Sequence, residues 1–266
     1  MKAITLRVLV FCAAAVSTEC AATMRRPSSA PPKPGTEALL VLPGFGYGRA
    51  GERAIRSLAP TLSAEGVDLY VPSYLTRGGL APGREKLDRF VRDNRLDRYQ
   101  RLHVFAFLAG AWTMNPLFER QLPPNLASVI YDRSPLQERA PAIAVDKLRL
   151  FAWLRYGATI FDVANIPYPP LTAPTVKVAL LVESRPTSFI RDHEKAARAN
   201  GPFAFACSDL RQRFDDCGYV PLNHDELYVH FPELWPELRA FIRTSQFTGA
   251  MNRTPPAGDP FAKHRR

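Results

Sequence analysis

No apolar run in this chain of 266 residues is long enough to cross a bilayer, which takes roughly 20 residues. Cysteine is scarce: there are four, none in a C-x-x-C pair, and the five histidines are not clustered. That pattern excludes a structural zinc site of the usual kind. Lysine is scarcer than the charge suggests, with 7 Lys against 28 Arg behind a net charge of +10. The arginines are spread along the chain and interleaved with Asp and Glu. No zinc-finger, RNA-recognition or basic-zipper pattern accompanies them, so the charge reads as a solvated surface and no nucleic-acid partner is expected. The sequence has no internal repeat and calls for no cofactor or metal.

What is present divides into four parts. Residues 1–22 have the form of an export signal. Lys2 and Arg7 precede the short apolar run Val8 to Val16, and Ala21 and Ala22 offer a cleavage site. Export to the periplasm or beyond is the expectation. Cys20 is a candidate lipid-bearing cysteine, though Glu19 before it is a poor match for that site. Residues 23–36 are a linker rich in Pro, Ser and Arg. Residues 37–244 form one globular domain, and 245–266 read as a disordered tail. After cleavage only Cys207 and Cys217 remain, and in an exported chain they form one disulfide.

Within the domain, short apolar runs alternate with helical patterns. Strands are expected at Ala38 to Leu42, Asp68 to Pro72, Leu102 to Phe107, Leu126 to Tyr131, Val176 to Val182 and Phe203 to Ala206. Helices are expected over Arg49 to Glu65, over Pro82 to Tyr99, after residue 108, and at Pro236 to Thr244. This order implies an α/β fold, a mostly parallel sheet with helices on both faces. Residues 133–174, with Trp153, Tyr156, Phe161, Tyr168 and a proline cluster, read as a cap insert over a pocket.

Three stretches carry a resemblance. Leu42-Pro43-Gly44-Phe45-Gly46 follows the first strand. Ala106-Phe107-Leu108-Ala109-Gly110 joins the central strand to its helix. Asn223-His224-Asp225-Glu226 precedes the closing helix. Their order and spacing resemble the α/β-hydrolase fold, in its lipase and esterase branch, over about Glu37 to Thr244. The resemblance implies an oxyanion loop at Gly44, Phe45 and Gly46, with backbone N–H donors from Phe45 and Ala109. It implies a nucleophile elbow, G-x-S-x-G, in which Ala106 and Gly110 take the small positions. Gly110 and Trp112 on the following helix then belong to the ligand site. His224 takes the place of the catalytic base. Leu108 stands where the serine belongs, and a leucine cannot attack a carbonyl. No aspartate follows the strand Val176 to Val182 at the usual distance; Glu183 comes early and Asp192 late, with Glu183 the candidate acid.

Three readings follow. One is an exported, non-catalytic protein that binds an apolar or acyl ligand, or a protein partner, under its cap. The second is an active carboxylic-ester hydrolase whose nucleophile is displaced to one of Ser73, Ser134, Ser184 or Ser188, since Thr113 lies too far along its helix. The third is an envelope scaffold without a ligand. The fold does not choose among them.

Overall fold

The computed structural model describes residues 36–210 and 212–262; the expected export signal, Cys20 and nearly all of the linker lie outside the described residues. The chain runs β1 (Glu37–Leu42), α1 (Arg49–Ser57), α2 (Ala59–Ala64), β2 (Val67–Tyr70), α3 (Leu80–Asp93), β3 (Arg101–Ala106), α4 (Leu108–Arg120) and β4 (Leu126–Arg133). The cap helices follow, α5 (Ala140–Lys147), α6 (Arg149–Tyr156) and α7 (Ala158–Asn165). Then come β5 (Lys177–Glu183), α8 (Ser188–Asp192), α9 (Glu194–Ala199), β6 (Asp216–Val220), α10 (His224–Val229) and α11 (Phe231–Thr244).

All six strands lie in one sheet in the order β2-β1-β3-β4-β5-β6, and every pairing is parallel. The fold class is therefore α/β, as the alternation of apolar runs implies. The inner strands β1, β3, β4 and β5 are buried on both faces over nearly their whole length, which is why their sequences lack a strict polar–apolar alternation. In β1, Ala38, Leu40 and Leu42 enter one core while Leu39 and Val41 enter the other, following the two-residue period of a strand. The first core is completed by α3 and α4 through Leu87, Met114 and Leu117. The second is completed by α1, α2, α10 and α11 through Ile55, Leu62, Leu227 and Phe231.

Several expectations are corrected. The sixth strand is Asp216–Val220, and Phe203 to Ala206 forms no strand. The helix expected over Arg49 to Glu65 is two helices that meet at Leu58. Pro60 lies in the first turn of the second helix, where its missing N–H has no intrahelical acceptor to lose. The closing helix starts at Phe231 and carries Pro236 inside it, so a proline taken as a helix start is an interior residue. Residues 245–262, expected to be a disordered tail, lie against the domain: Phe247, Met251 and Phe261 are buried. Their apolar side chains are widely spaced in a polar stretch, and that spacing hid them from pattern reading. Cys207 and Cys217 form the expected disulfide, with Cα atoms 6.5 Å apart.

Candidate functional site

The parallel sheet puts the carboxyl ends of all its strands on one side. The chain reverses direction across the sheet between β1 and β3, and ligands of open α/β sheets lie outside such a reversal. The loop 43–48 after β1, the start of α4 after β3, and the ends of β4, β5 and β6 converge there.

His224 is the first residue of α10. Its position is set by a capping box. The Asn223 side chain accepts from the N–H groups of Asp225 and Glu226, both at 3.0 Å, and Glu226 Oε2 accepts from Asn223 N–H at 2.9 Å. Two reciprocal bonds of this kind satisfy otherwise orphaned helix donors and turn His224 toward the sheet. There its Nδ1 donates to Glu183 Oε1 at 2.7 Å. Asp132, at the end of β4, brings Oδ2 to 3.0 Å from the same nitrogen. All three side chains are buried. Glu183, the early candidate for the acid, is thus brought to His224; Asp132 was not foreseen. Its signal was its place after the apolar run Val129-Ile130-Tyr131, at a strand's carboxyl end.

Burial pushes the Glu183 carboxyl well above the usual range, and the Asp132 charge pushes the same way. Burial opposes protonation of His224, but Glu183 and Asp132 together outweigh it and hold the imidazole pKa well above the ordinary value. A protonated Glu183 can accept from His224 through one oxygen and offer its own proton to Asp132. Without such a donor, neither Asp132 oxygen has a hydrogen-bond partner. Shared in this way, the Glu183 proton keeps the buried carboxyl oxygens from being left without partners. The ligand atoms of the three residues lie within 4.8 Å of one another. They are the group among the described residues that could hold a metal, a possibility the sequence reading did not include.

These directions fix a pH dependence. Both groups bind protons more tightly folded than unfolded, so their contribution to stability falls as pH rises. The loss starts near the unfolded value of 4.5 for Glu183 and near 6.5 for His224. Glu37 is held low by the His103 ring, 3.4 Å from its carboxyl, and His103 is held low by burial; both act on the acid side. We expect the melting temperature of the chain to fall as pH rises above 6.5. Glu183→Gln should flatten that fall, as read by thermal unfolding in matched buffers. Parallel curves for the two proteins would remove the cluster as its source.

The loop after β1 is pinned from two sides. Gly44 N–H donates to the buried Tyr228 hydroxyl at 2.7 Å, and the Tyr74 hydroxyl donates to Pro43 O. Tyr228 lies one helical turn after His224, stacks on Phe107 with ring centroids 4.0 Å apart, and meets the His224 ring edge-on at 5.2 Å. A Cβ on Gly44 would lie 3.5 Å from Ala109 N, so the two backbone segments do approach each other. Gly110 packs against the backbone of β1: a Cβ there would be 2.7 Å from Leu42 O.

The junction of β3 and α4 is not strained. Among the described residues, the non-glycine residues with positive φ are Arg95 and Ser245. Phe107 is extended, at φ −69° and ψ 163°, and Leu108 opens α4. The strand therefore enters its helix without the sharp turn that a nucleophile elbow uses. Leu108, Phe45, Gly46 and His224 line a cavity of about 220 Å³ roofed by α5, α6 and α7. Ala140, Ala144, Phe151, Tyr156 and Ile160 supply its apolar cap side, and Thr187 and Asp225 supply polar atoms. Trp112 does not reach this cavity. Its Nε1 donates to Ile166 O at 2.9 Å and its ring packs on Tyr168, so the expectation that it lines the ligand site is corrected.

The hydroxyls considered as displaced nucleophiles are engaged elsewhere or exposed. Ser134 Oγ accepts from Leu136 N–H, Ser184 Oγ donates to Val220 O, and Thr113 Oγ1 donates to Ala109 O. Ser73 and Ser188 are exposed. Thr187, which the sequence reading missed, lines the cavity while capping α8 through Ile190 N–H. Among the described residues, no hydroxyl or thiol hydrogen-bonds His224.

No family model matches the chain, and no curated protein does. Solved structures do resemble it. An esterase of Pyrococcus furiosus is 14% identical, with 80% of this chain and 84% of that one covered at a TM-score of 0.47. The type II thioesterase BorB from the borrelidin biosynthetic cluster is 15% identical, covering 81% and 95% at a TM-score of 0.47. The pyrethroid hydrolase PytH is 11% identical, covering 79% and 98% at a TM-score of 0.46.

Proposed function

We propose that this chain is an exported, non-catalytic α/β-hydrolase-like protein that binds a short apolar or acyl ligand in the cavity under its cap. One observation carries the reading: an apolar cavity ends on Leu108 and His224, and no hydroxyl or thiol among the described residues is bonded to that histidine. The acid–histidine pair orients an imidazole, but an imidazole without a nucleophile leaves only the residual rate of a dismantled triad. The pair then serves structure. The cavity's volume of about 220 Å³ falls below the roughly 300–1,000 Å³ of drug-sized pockets, which favours a short chain over a long one. The disulfide is consistent with export. A protein partner is the other occupant this reading allows.

The retained pair is also what an active ester hydrolase would need, so the test includes turnover. Straight-chain fatty acids of graded length should raise the melting temperature, with an optimum at short to medium chains. Ala144→Phe, which fills the cavity from α5, should abolish that rise. Ester hydrolysis over the same chain lengths should not exceed that of His224→Gln. Turnover lost with His224→Gln would make the protein an enzyme with a displaced nucleophile. A melting temperature indifferent to every chain length would leave the scaffold reading.

A further inference from the structure

Helix α6 is inside out. In most surface helices the apolar stripe faces the core and the charges face water. Here Leu150 is 70% exposed, Phe151 60%, Leu154 55% and Trp153 52%. The inward position belongs to the small Ala152, 1% exposed. At 100° per residue the four exposed apolar side chains span an arc of roughly 160° centred opposite Ala152. Arg149 and Arg155, both exposed, fall at the two borders of that arc. Arg77, from the loop before α3, reaches the same face: its Nη2 donates to Trp153 O at 3.3 Å and its guanidinium lies 5.7 Å from the Trp153 ring. Lys147 stands just before the helix, its charge met by Asp146 at 2.7 Å. The border charges on α6 are thus arginine only, with no acidic residue in the helix.

We propose that this face of α6 docks on an anionic bilayer surface. The apolar arc enters the boundary between headgroups and acyl chains, and Arg149, Arg155 and Arg77 stay level with the lipid phosphates. An interfacial helix has this division, with aromatic and leucine side chains on one face and basic residues at its margins. Arginine suits the margin, since its stem can lie along apolar surface while its head meets phosphate bidentately. A net charge of +10 favours the same encounter over long range. Phe151 belongs to both the exposed arc and the cavity lining, so docking sets the cavity beside the acyl layer. The inference goes beyond the proposed binding function and does not need it, because vesicle docking is read without any cavity ligand.

The chain carries its own reporter. It has three tryptophans. Trp112 and Trp235 are buried, while Trp153 lies in the arc. The chain from Thr23, the expected mature form, is titrated with vesicles of phosphatidylglycerol and phosphatidylcholine, and separately with phosphatidylcholine alone. Expected are a blue shift of tryptophan emission and co-sedimentation with the anionic vesicles, weakened at least tenfold by Leu150→Ser with Leu154→Ser. Arg149→Gln with Arg155→Gln should remove the preference for anionic over neutral vesicles. Trp153→Phe should keep co-sedimentation and lose the shift. All substituted side chains are exposed, and an unchanged melting temperature verifies folding. Emission and sedimentation that ignore anionic vesicles overturn the proposal. So does a blue shift that grows with protein concentration in the absence of lipid, which would give the face to a second copy of the chain.

Discussion

Replacing His224 with leucine should lower the unfolding free energy by about 3–5 kcal/mol, the usual loss when one partner of a buried ion pair is removed. Asp132 and Glu183 are buried, and their carboxyls lie 3.0 and 2.7 Å from the imidazole. Without the imidazole, the two buried carboxyls lose the one basic group they both face. The fold would have to hold an extra proton, admit water or move a strand end. Glu183→Gln should be far milder, since a neutral amide of nearly the same shape stands in for a carboxyl whose ionised form burial already disfavours. Chemical denaturation of the three proteins at pH 7 checks both expectations. Equal losses for His224→Leu and Glu183→Gln would mean that packing and not charge explains the effect. The comparison matters for any activity assay, because a His224 variant that unfolds would mimic a catalytic loss. His224→Gln, which keeps a polar group of similar size, is the better control.

Gly157→Ala should be nearly as damaging, and locally so. Gly157 joins α6 to α7 at φ 65° and ψ −150°, a region open essentially to glycine alone. A Cβ there would stand 2.1 Å from Arg77 O and 2.7 Å from Arg77 Cα. Both contacts are with the main chain, which cannot step aside as a side-chain tip could. The same crossing is where the cap is tied to the loop before α3. Ala158 N–H donates to Arg77 O at 2.7 Å, Thr159 Oγ1 donates to Thr76 O, and Leu80 N–H donates to Asp162 Oδ2 at 2.8 Å. Backbone strain and overpacking each cost about 1–3 kcal/mol, so a total of about 3 kcal/mol or more is expected. Limited proteolysis should find new cleavage within residues 133–174 while the sheet stays protected. A variant that keeps wild-type protection in the cap would show that α6 and α7 can shift as a pair.

The sheet was readable because its strands are uniform. Runs such as Ala38 to Leu42 and Val176 to Val182 are apolar throughout and short, and β1 to β5 lie within about two residues of the runs that announced them. β6 failed for the opposite reason: Asp216-Cys217-Gly218-Tyr219-Val220 is not an apolar run, and its strand state comes from pairing with β5. The true last strand therefore went to a more apolar neighbour, Phe203 to Ala206. In the site, His224 and Glu183 were named from order along the chain and do meet. Asp132 was passed over because one chain order was expected for the acid, whereas both β4 and β5 end at the same place. The resemblance puts Trp112, on the helix after Leu108, in the ligand site, yet its ring faces the proline-rich segment around Tyr168. Periodicity says which helix face is buried, not which neighbour buries it. The inward glycine contacts, the unstrained start of α4 and the outward face of α6 depend on backbone angles and crossings, to which residue pattern is blind.

The stretch after α11 changes how the molecule ends. β6 is the last strand of the sheet, and its outer side would otherwise present unpaired backbone groups to any extended chain. Asn252 forms an antiparallel bridge to Tyr219, accepting its N–H at 2.9 Å. Asp216 accepts from Phe247 N–H at 2.6 Å and pairs with Arg253. The chain thus spends the hydrogen-bonding capacity of its own sheet margin on itself. The unit that folds extends past Thr244, and solubility at the β6 side is a property of residues that lie beyond the last helix.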